Sequence, residues 1–188
     1  MASDIDISNI NSFHLDVLKE IGNIGAGNAA TALAKLLDKK IDMKVPQIRV
    51  MKFSEVSDVL GGAETEVAGI LLGVRGDING NILFVLDLIS ARRLVNILMG
   101  NPVNQEITFD SMECSALQEI GNILAGSYLS SLSNLTNLKI LADIPGLAID
   151  MAGAILSVPA IEFGRSSDTA LYIENEFLYG SDSVIGDF

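Results

Sequence analysis

Tryptophan is absent from the 188 residues, and there is one cysteine (Cys114), one histidine (His14) and only four prolines. A single cysteine excludes an internal disulfide, and no Cys/His cluster exists to hold zinc. A single histidine leaves histidine-based catalytic triads without support. Basic residues are scarce: 12 Lys and Arg stand against 24 Asp and Glu, a net charge of −12. A nucleic-acid binder needs a basic stripe, so that class is excluded, and anionic membrane surfaces are disfavoured for the same reason. Long hydrophobic runs are missing too. Arg75 and Asp77 follow VAGILLGV, and Asp150 and Pro159 interrupt GLAIDMAGAILSVPAIEF. Neither leaves an unbroken apolar run of the ~18 residues of a membrane span. The opening MASDIDISNI is acidic where a signal peptide is basic, so the chain reads as cytoplasmic.

What is present is apolar: 49% hydrophobic residues, 19% charged, and a mean hydropathy of +0.41. That composition excludes a disordered chain. A chain of this length buries roughly 70% of the surface it exposes when unfolded, enough for a core without staples. The acid is unevenly spread. Residues 1–100 carry 10 basic and 12 acidic residues, whereas 101–188 carry 2 (Lys139, Arg165) and 12.

The chain repeats itself. LKEIGNIGAGNAATAL (18–33) recurs as LQEIGNILAGSYLSSL (117–132), an offset of 99. The register still holds downstream, where Leu36, Lys40, Ile41 and Pro46 match Leu135, Lys139, Ile140 and Pro145. Such persistence implies two copies of one unit related by a pseudo-twofold, about 12–100 and 111–188, in a single domain spanning 1–188.

Periodicity predicts the elements of each copy. The first is read as a helix over 12–37 with Ser12 as N-cap, a strand over 41–53 that Pro46 pushes to an edge or bulge, and a short helix over 54–61 opened by Ser54. A hairpin about Asp77–Gly80 and a helix over 88–99 ended by Gly100 follow. The second is read as a helix over 111–135, a strand over 139–147, a helix over 150–157, and strands near 158–165 and 168–178. Aligning Ala68 with Ala170 leaves the second copy without the last helix and most of the last strand, so it reads as truncated.

On a wheel of roughly 100° per residue centred on Leu18, the residues Leu15, Ile21, Gly22, Gly25, Ala29, Ala32, Leu33 and Leu36 form a buried stripe. Asp16, Glu20, Asn23 and Gly27 occupy the opposite face as consecutive neighbours. Ser115, Glu119, Asn122 and Gly126 occupy that face of the second helix. A mid-helix glycine costs ~1 kcal/mol relative to alanine. Gly27 and Gly126 beside the asparagines therefore read as room for something to come close, and Gly22 and Gly25 as sites of close packing. GNIGAGNA has the wrong order for a dinucleotide loop, and no lysine follows as a phosphate loop requires. Glu and Asn alone make an incomplete active site. Asn can hold a water in line for attack, and Glu can pair with a partner's cation. In phosphoryl hydrolysis, positioning dominates and no strong base is needed, so a partner can supply the rest.

The pattern D-x3-E-x2-N with Pro after 22 residues (Asp16, Glu20, Asn23, Pro46), repeated as S-x3-E-x2-N with the same gap (Ser115, Glu119, Asn122, Pro145), resembles the CheC/CheX/FliY family of chemotaxis phosphatases. The resemblance covers most of the chain. Two intact motifs set it apart from CheX-like members with one, and the added motor-binding domain of FliY has no room here. It implies hydrolysis of the aspartyl phosphate of the response regulator CheY. Asn23 and Asn122 would orient the water, and Glu20 and Glu119 would pair with the regulator's lysine. No cofactor or metal would be bound by this chain; the Mg²⁺ would belong to CheY. Asp16 and Ser115 would be supporting, and the prolines structural. CheD is a further implied partner, with Asp150, Met151, Ala152 and Gly153 of the predicted 150–157 helix as its contact. The implied fold is α/β: two α-β-α-β-β units sharing one mixed, mostly antiparallel sheet of about six strands, with the motif helices exposed. A non-catalytic module that binds CheD or phosphorylated CheY is the rival reading; a small-molecule enzyme would need a pocket that the sequence does not offer.

Overall fold

A computed structural model describes residues 11–100, 107–163, 169–180 and 182–188. In chain order the elements are α1 (Ser12–Leu37), β1 (Asp42–Lys52), α2 (Phe53–Val59), β2 (Glu66–Gly76), β3 (Gly80–Asp87) and α3 (Leu88–Met99). Then come α4 (Ser111–Thr136), β4 (Ile140–Ala142), β5 (Gly146–Met151), α5 (Ala152–Phe163), β6 (Thr169–Tyr179) and β7 (Asp182–Asp187). The strands form one sheet in the order β1-β6-β7-β3-β2-β4, and β5 also pairs with β2. Among the described residues every strand pair is antiparallel, so the sheet is not mixed.

Strand alternation divides the core into two layers. Ala68, Ile70 and Leu72 of β2, Phe84 and Leu86 of β3, Phe177 of β6 and Val184 of β7 face α1, α3 and α4. The intervening Val67 and Val85 face Ala152 and Ile155 of α5. Met51 and Tyr172 join Val56 of α2 and Leu156 of α5 on that same side. The sheet is therefore sandwiched, with the motif helices α1 and α4 together on one face.

The two copies exchange outer strands. β1 pairs with β6 of the second copy, and β5 with β2 of the first. Each exchange carries a one-residue bulge at the repeated proline. Lys44 faces Glu176 and Gln47 faces Glu174, three residues against two, around Pro46. Ala142 faces Val74 and Gly146 faces Leu71, four against three, around Pro145. Proline lacks the N–H a ladder needs, so an outer-strand bulge accommodates it.

Several local expectations are corrected. Asn11, not Ser12, caps α1: its Oδ1 accepts from the His14 N–H at 3.0 Å. Ser54 lies inside α2, which Glu55 caps by accepting the Lys52 N–H at 3.0 Å. The predicted strand over 139–147 is split into β4 and β5, and the predicted helix over 150–157 begins only at Ala152. The expected strand near 158–165 is, as far as Phe163, the continuation of α5, whose buried Ala152, Ile155, Leu156 and Pro159 follow a helical spacing; its last two residues lie outside the described ones. Leu36, expected in the buried stripe, is exposed, whereas Ala26 and Ala30 are buried. The last strand is present as β7.

The alignment of Ala68 with Ala170 also fails by one residue. Asp42 faces Leu178, and Leu141, 99 residues after Asp42, faces Arg75. Leu178 thus corresponds to Arg75, an offset of 103, which matches Ala170 to Val67. Ala68 belongs to the α1/α3/α4 side and Ala170 to the α2/α5 side. A slip of one residue reverses the face of every side chain on a strand.

Candidate functional site

The stripe glycines determine how α1 and α4 sit. A Cβ on Gly25 would lie 2.8 Å from Tyr128 Cδ1 and 3.1 Å from its Cα, so α1 and α4 touch backbone to backbone there. A Cβ on Gly121 would lie 2.6 Å from Ile70 Cγ2, so α4 rests directly on β2. Asn28 Nδ2 donates to Ser131 Oγ at 3.2 Å across the helix pair. Tyr128 donates its hydroxyl to Asn175 Oδ1 of β6, and burial pushes its phenol well above the ordinary range. With these faces inward, the opposite faces look outward.

Asp16, Glu20, Asn23 and Gly27 are exposed on α1; Ser115, Glu119 and Asn122 are exposed on α4, with Gly126 half-buried. Among the described residues no protein hydrogen bond or ion pair occupies Glu20, Asn23, Glu119 or Asn122. Ser115 is satisfied within its own helix, donating to Ser111 O at 2.8 Å. A Cβ on Gly27 or Gly126 would meet nothing within 4 Å. Each motif therefore offers one carboxylate and one amide, three residues apart on one helix face. The two Glu/Asn pairs stay on separate helices, and among the described residues no hydrogen bond joins them. Past Gly27 the same face opens into a groove of about 520 Å³ lined in part by Thr31, Lys35 and Asp38.

Pro145 is tied to the second motif helix. Gln118 Nε2, next to Glu119, donates to Pro145 O at 3.3 Å. The start of α4 is anchored by a group that sequence reasoning missed. Arg92 of α3 is buried and donates to both Glu113 oxygens, at 2.5 and 3.1 Å, and to Thr108 O. The Arg92 guanidinium holds the Glu113 carboxyl below the usual range, helped by the Asp110 N–H. The Phe109 ring centroid lies 4.4 Å from Arg92 Cζ. No local pattern marks Arg92, since its partners lie beyond its own helix.

A second feature was missed although its signal was available. Phe13, Val17 and Ile24 form an exposed apolar row beside the motif on α1, at helical spacing. Met112, Ala116 and Ile123 hold the same positions 99 residues later. Of the four residues assigned to the further contact surface, Asp150 and Met151 are exposed at the end of β5. Ala152 is fully buried, and Gly153 packs on the loop between α2 and β2, donating its N–H to Ala63 O at 2.9 Å. No trio of His, Cys, Asp or Glu among the described residues could hold a metal, and no helix among them is long and apolar enough to cross a membrane.

A model of the CheC-like family matches residues 13–49 and 112–145, nearly all of the two motif helices together with most of β1 and the whole of β4. The chain is 41% identical over 162 residues to the CheY-P phosphatase CheC of Bacillus subtilis, covering 85% of this chain and 78% of the relative. It is 29% identical over 136 residues to the flagellar motor switch phosphatase FliY of the same organism, covering 72% of this chain and 35% of that one. The crystal structure of Thermotoga maritima FliY superposes with a TM-score of 0.78 at 24% identity, covering 95% of this chain and 90% of that one.

Proposed function

From the premise that this chain belongs to the CheC-like family, we propose that it is a phosphatase of CheY-P acting through two Glu/Asn faces. Its activity on CheY-P follows the 41% identity to a phosphatase of that name over most of the chain. One observation carries the finer reading. Glu20 with Asn23, and Glu119 with Asn122, stand exposed and, among the described residues, without protein partners, beside glycines that leave open space.

The chemistry needs little more than placement. The Asn amide, with one acceptor and two donors, holds a water in line with the phosphorus. The water oxygen forms the new P–O bond, the bond to the regulator's aspartyl oxygen breaks with its electron pair, and a carboxylate and a phosphate that carries off the water's two protons result. Glu20 or Glu119 pairs with the regulator's lysine and sets the orientation. The Mg²⁺ that spreads charge in this reaction belongs to CheY. Holding water and acyl phosphate together converts a bimolecular attack into an oriented one, the main source of acceleration available to such a site. Asp16 and Ser115 support the helices, and residues 12–100 and 111–188 act as two copies of one catalytic unit.

Asn23→Ala combined with Asn122→Ala abolishes the acceleration of CheY-P decay, and each single variant keeps part of it. Decay of CheY-P at an unchanged rate with the double variant refutes the mechanism. Exposed Asp150 and Met151 at the sheet edge favour a second role, binding of CheD. Asp150→Lys then loses CheD binding with CheY-P hydrolysis intact. Tight CheD binding without any hydrolysis by the unaltered chain would instead make it a regulatory module.

A further inference from the structure

The row beside the first motif is more apolar and more exposed than its repeat. On α1, Phe13 is 68%, Val17 43% and Ile24 39% exposed. On α4, Met112 is 67% exposed, but Ala116 is a smaller side chain and both it and Ile123 are half-buried. Helical spacing places Phe13, Val17 and Ile24 alongside Asp16, Glu20 and Asn23, so whatever seats on that carboxylate and amide covers the row as well. Apolar side chains recur at all three positions in the second copy, which marks the row as part of the repeated face.

We propose that Phe13, Val17 and Ile24 form an apolar docking strip for CheY-P, and that it makes the α1 site the tighter of the two. The inference rests on the phosphatase reading above. The occupant follows from continuity: the strip flanks the motif, and no other element among the described residues covers it. Large apolar anchors at the centre of a contact supply most of its affinity, and loss of one such anchor weakens binding about tenfold or more. Met112 alone gives the α4 site a smaller anchor.

The test isolates each site in the full chain. Asn122→Ala leaves the α1 site, Asn23→Ala leaves the α4 site, and the KM and kcat for CheY-P are measured for both. The α1 site shows a KM about tenfold lower. Adding Phe13→Ser and Val17→Ser raises the KM of the α1 site about tenfold with kcat unchanged, and leaves the α4 site unaffected. Equal KM values, or a KM unmoved by the serine pair, overturn the inference while the phosphatase reading stands. A concentration-dependent dimer that the serine pair dissolves without moving KM overturns it too and assigns the strip to a second copy of the chain. Loss of both activities by the serine pair, with a lowered unfolding midpoint, makes the row structural and overturns the inference. If neither single-site variant hydrolyses CheY-P, the phosphatase mechanism itself fails and the inference with it.

Discussion

Gly27→Ala separates two roles that a glycine can have in a helix. Gly27 lies inside the 26-residue α1, exposed, and an added Cβ would meet nothing within 4 Å. With no clash to offset it, the variant collects the full helix-propensity gain of about 1 kcal/mol. For a chain of this size that raises the unfolding midpoint by about 2–4 °C. The same methyl stands one turn beyond Asn23, on the face a partner must approach. An inserted methyl in a close contact costs about 1–3 kcal/mol, so the activity of the α1 site, read in an Asn122→Ala background, falls by a factor of about 5 to 150. Gly121→Ala is the internal control. Its Cβ would lie 2.6 Å from Ile70 Cγ2 and 3.2 Å from Ile70 Cβ, in a fully buried side chain with no room to retreat. There the overpacking exceeds the propensity gain and the midpoint falls. Thermal unfolding and CheY-P decay measured on the same samples decide the matter. A Gly27→Ala protein that is more stable and fully active refutes the approach role; one that is not stabilised refutes the open space.

Arg92→Leu removes one side of a buried pair and costs about 3 kcal/mol in urea unfolding, with the start of α4 as the first region to lose amide protection. Because the folded Glu113 carboxyl lies below its reference value of 4.5, the pair's contribution is complete above that pH and vanishes as pH falls through the lowered folded value. Glu113→Gln therefore destabilises at neutral pH and flattens the acid limb of the stability curve; an acid limb as steep as the parent's would rule the pair out as its cause. His14→Glu gives α1 the carboxylate that Glu113 gives α4 at the same helix position, and raises stability by about 0.5–1 kcal/mol in urea unfolding. No rise in the urea midpoint would show that the Asn11–His14 box already serves α1 fully.

The motif faces were legible because a helix carries its own period. Once Leu18 is placed inward, the spacing alone turns Glu20 and Asn23 outward, and the repeat confirms the choice at Glu119 and Asn122. The hairpin at Asp77–Gly80 and the stop at Gly100 were legible for the same local reason, since turn and cap chemistry act over a few residues. The bulges at Pro46 and Pro145 were half-legible: proline announces an irregular outer strand, but not the strand it irregularly faces. The continuation of α5 past Pro159 was hidden because the proline signals a break, whereas burial of Ile155 and Leu156 in the two clusters on the α2/α5 side of the sheet holds the helix in place. Arg92 meets Glu113 across 21 residues, and β1 meets β6 across more than a hundred, so neither pairing leaves a local trace. The sequence by itself determined which residues face outward on each motif helix. Only the tertiary structure decided that the copies exchange their outer strands, that Gly25 presses α1 onto α4, and that no other element among the described residues covers Phe13, Val17 and Ile24. Those depend on which distant surface each element meets, and burial is a property of the pair rather than of either segment.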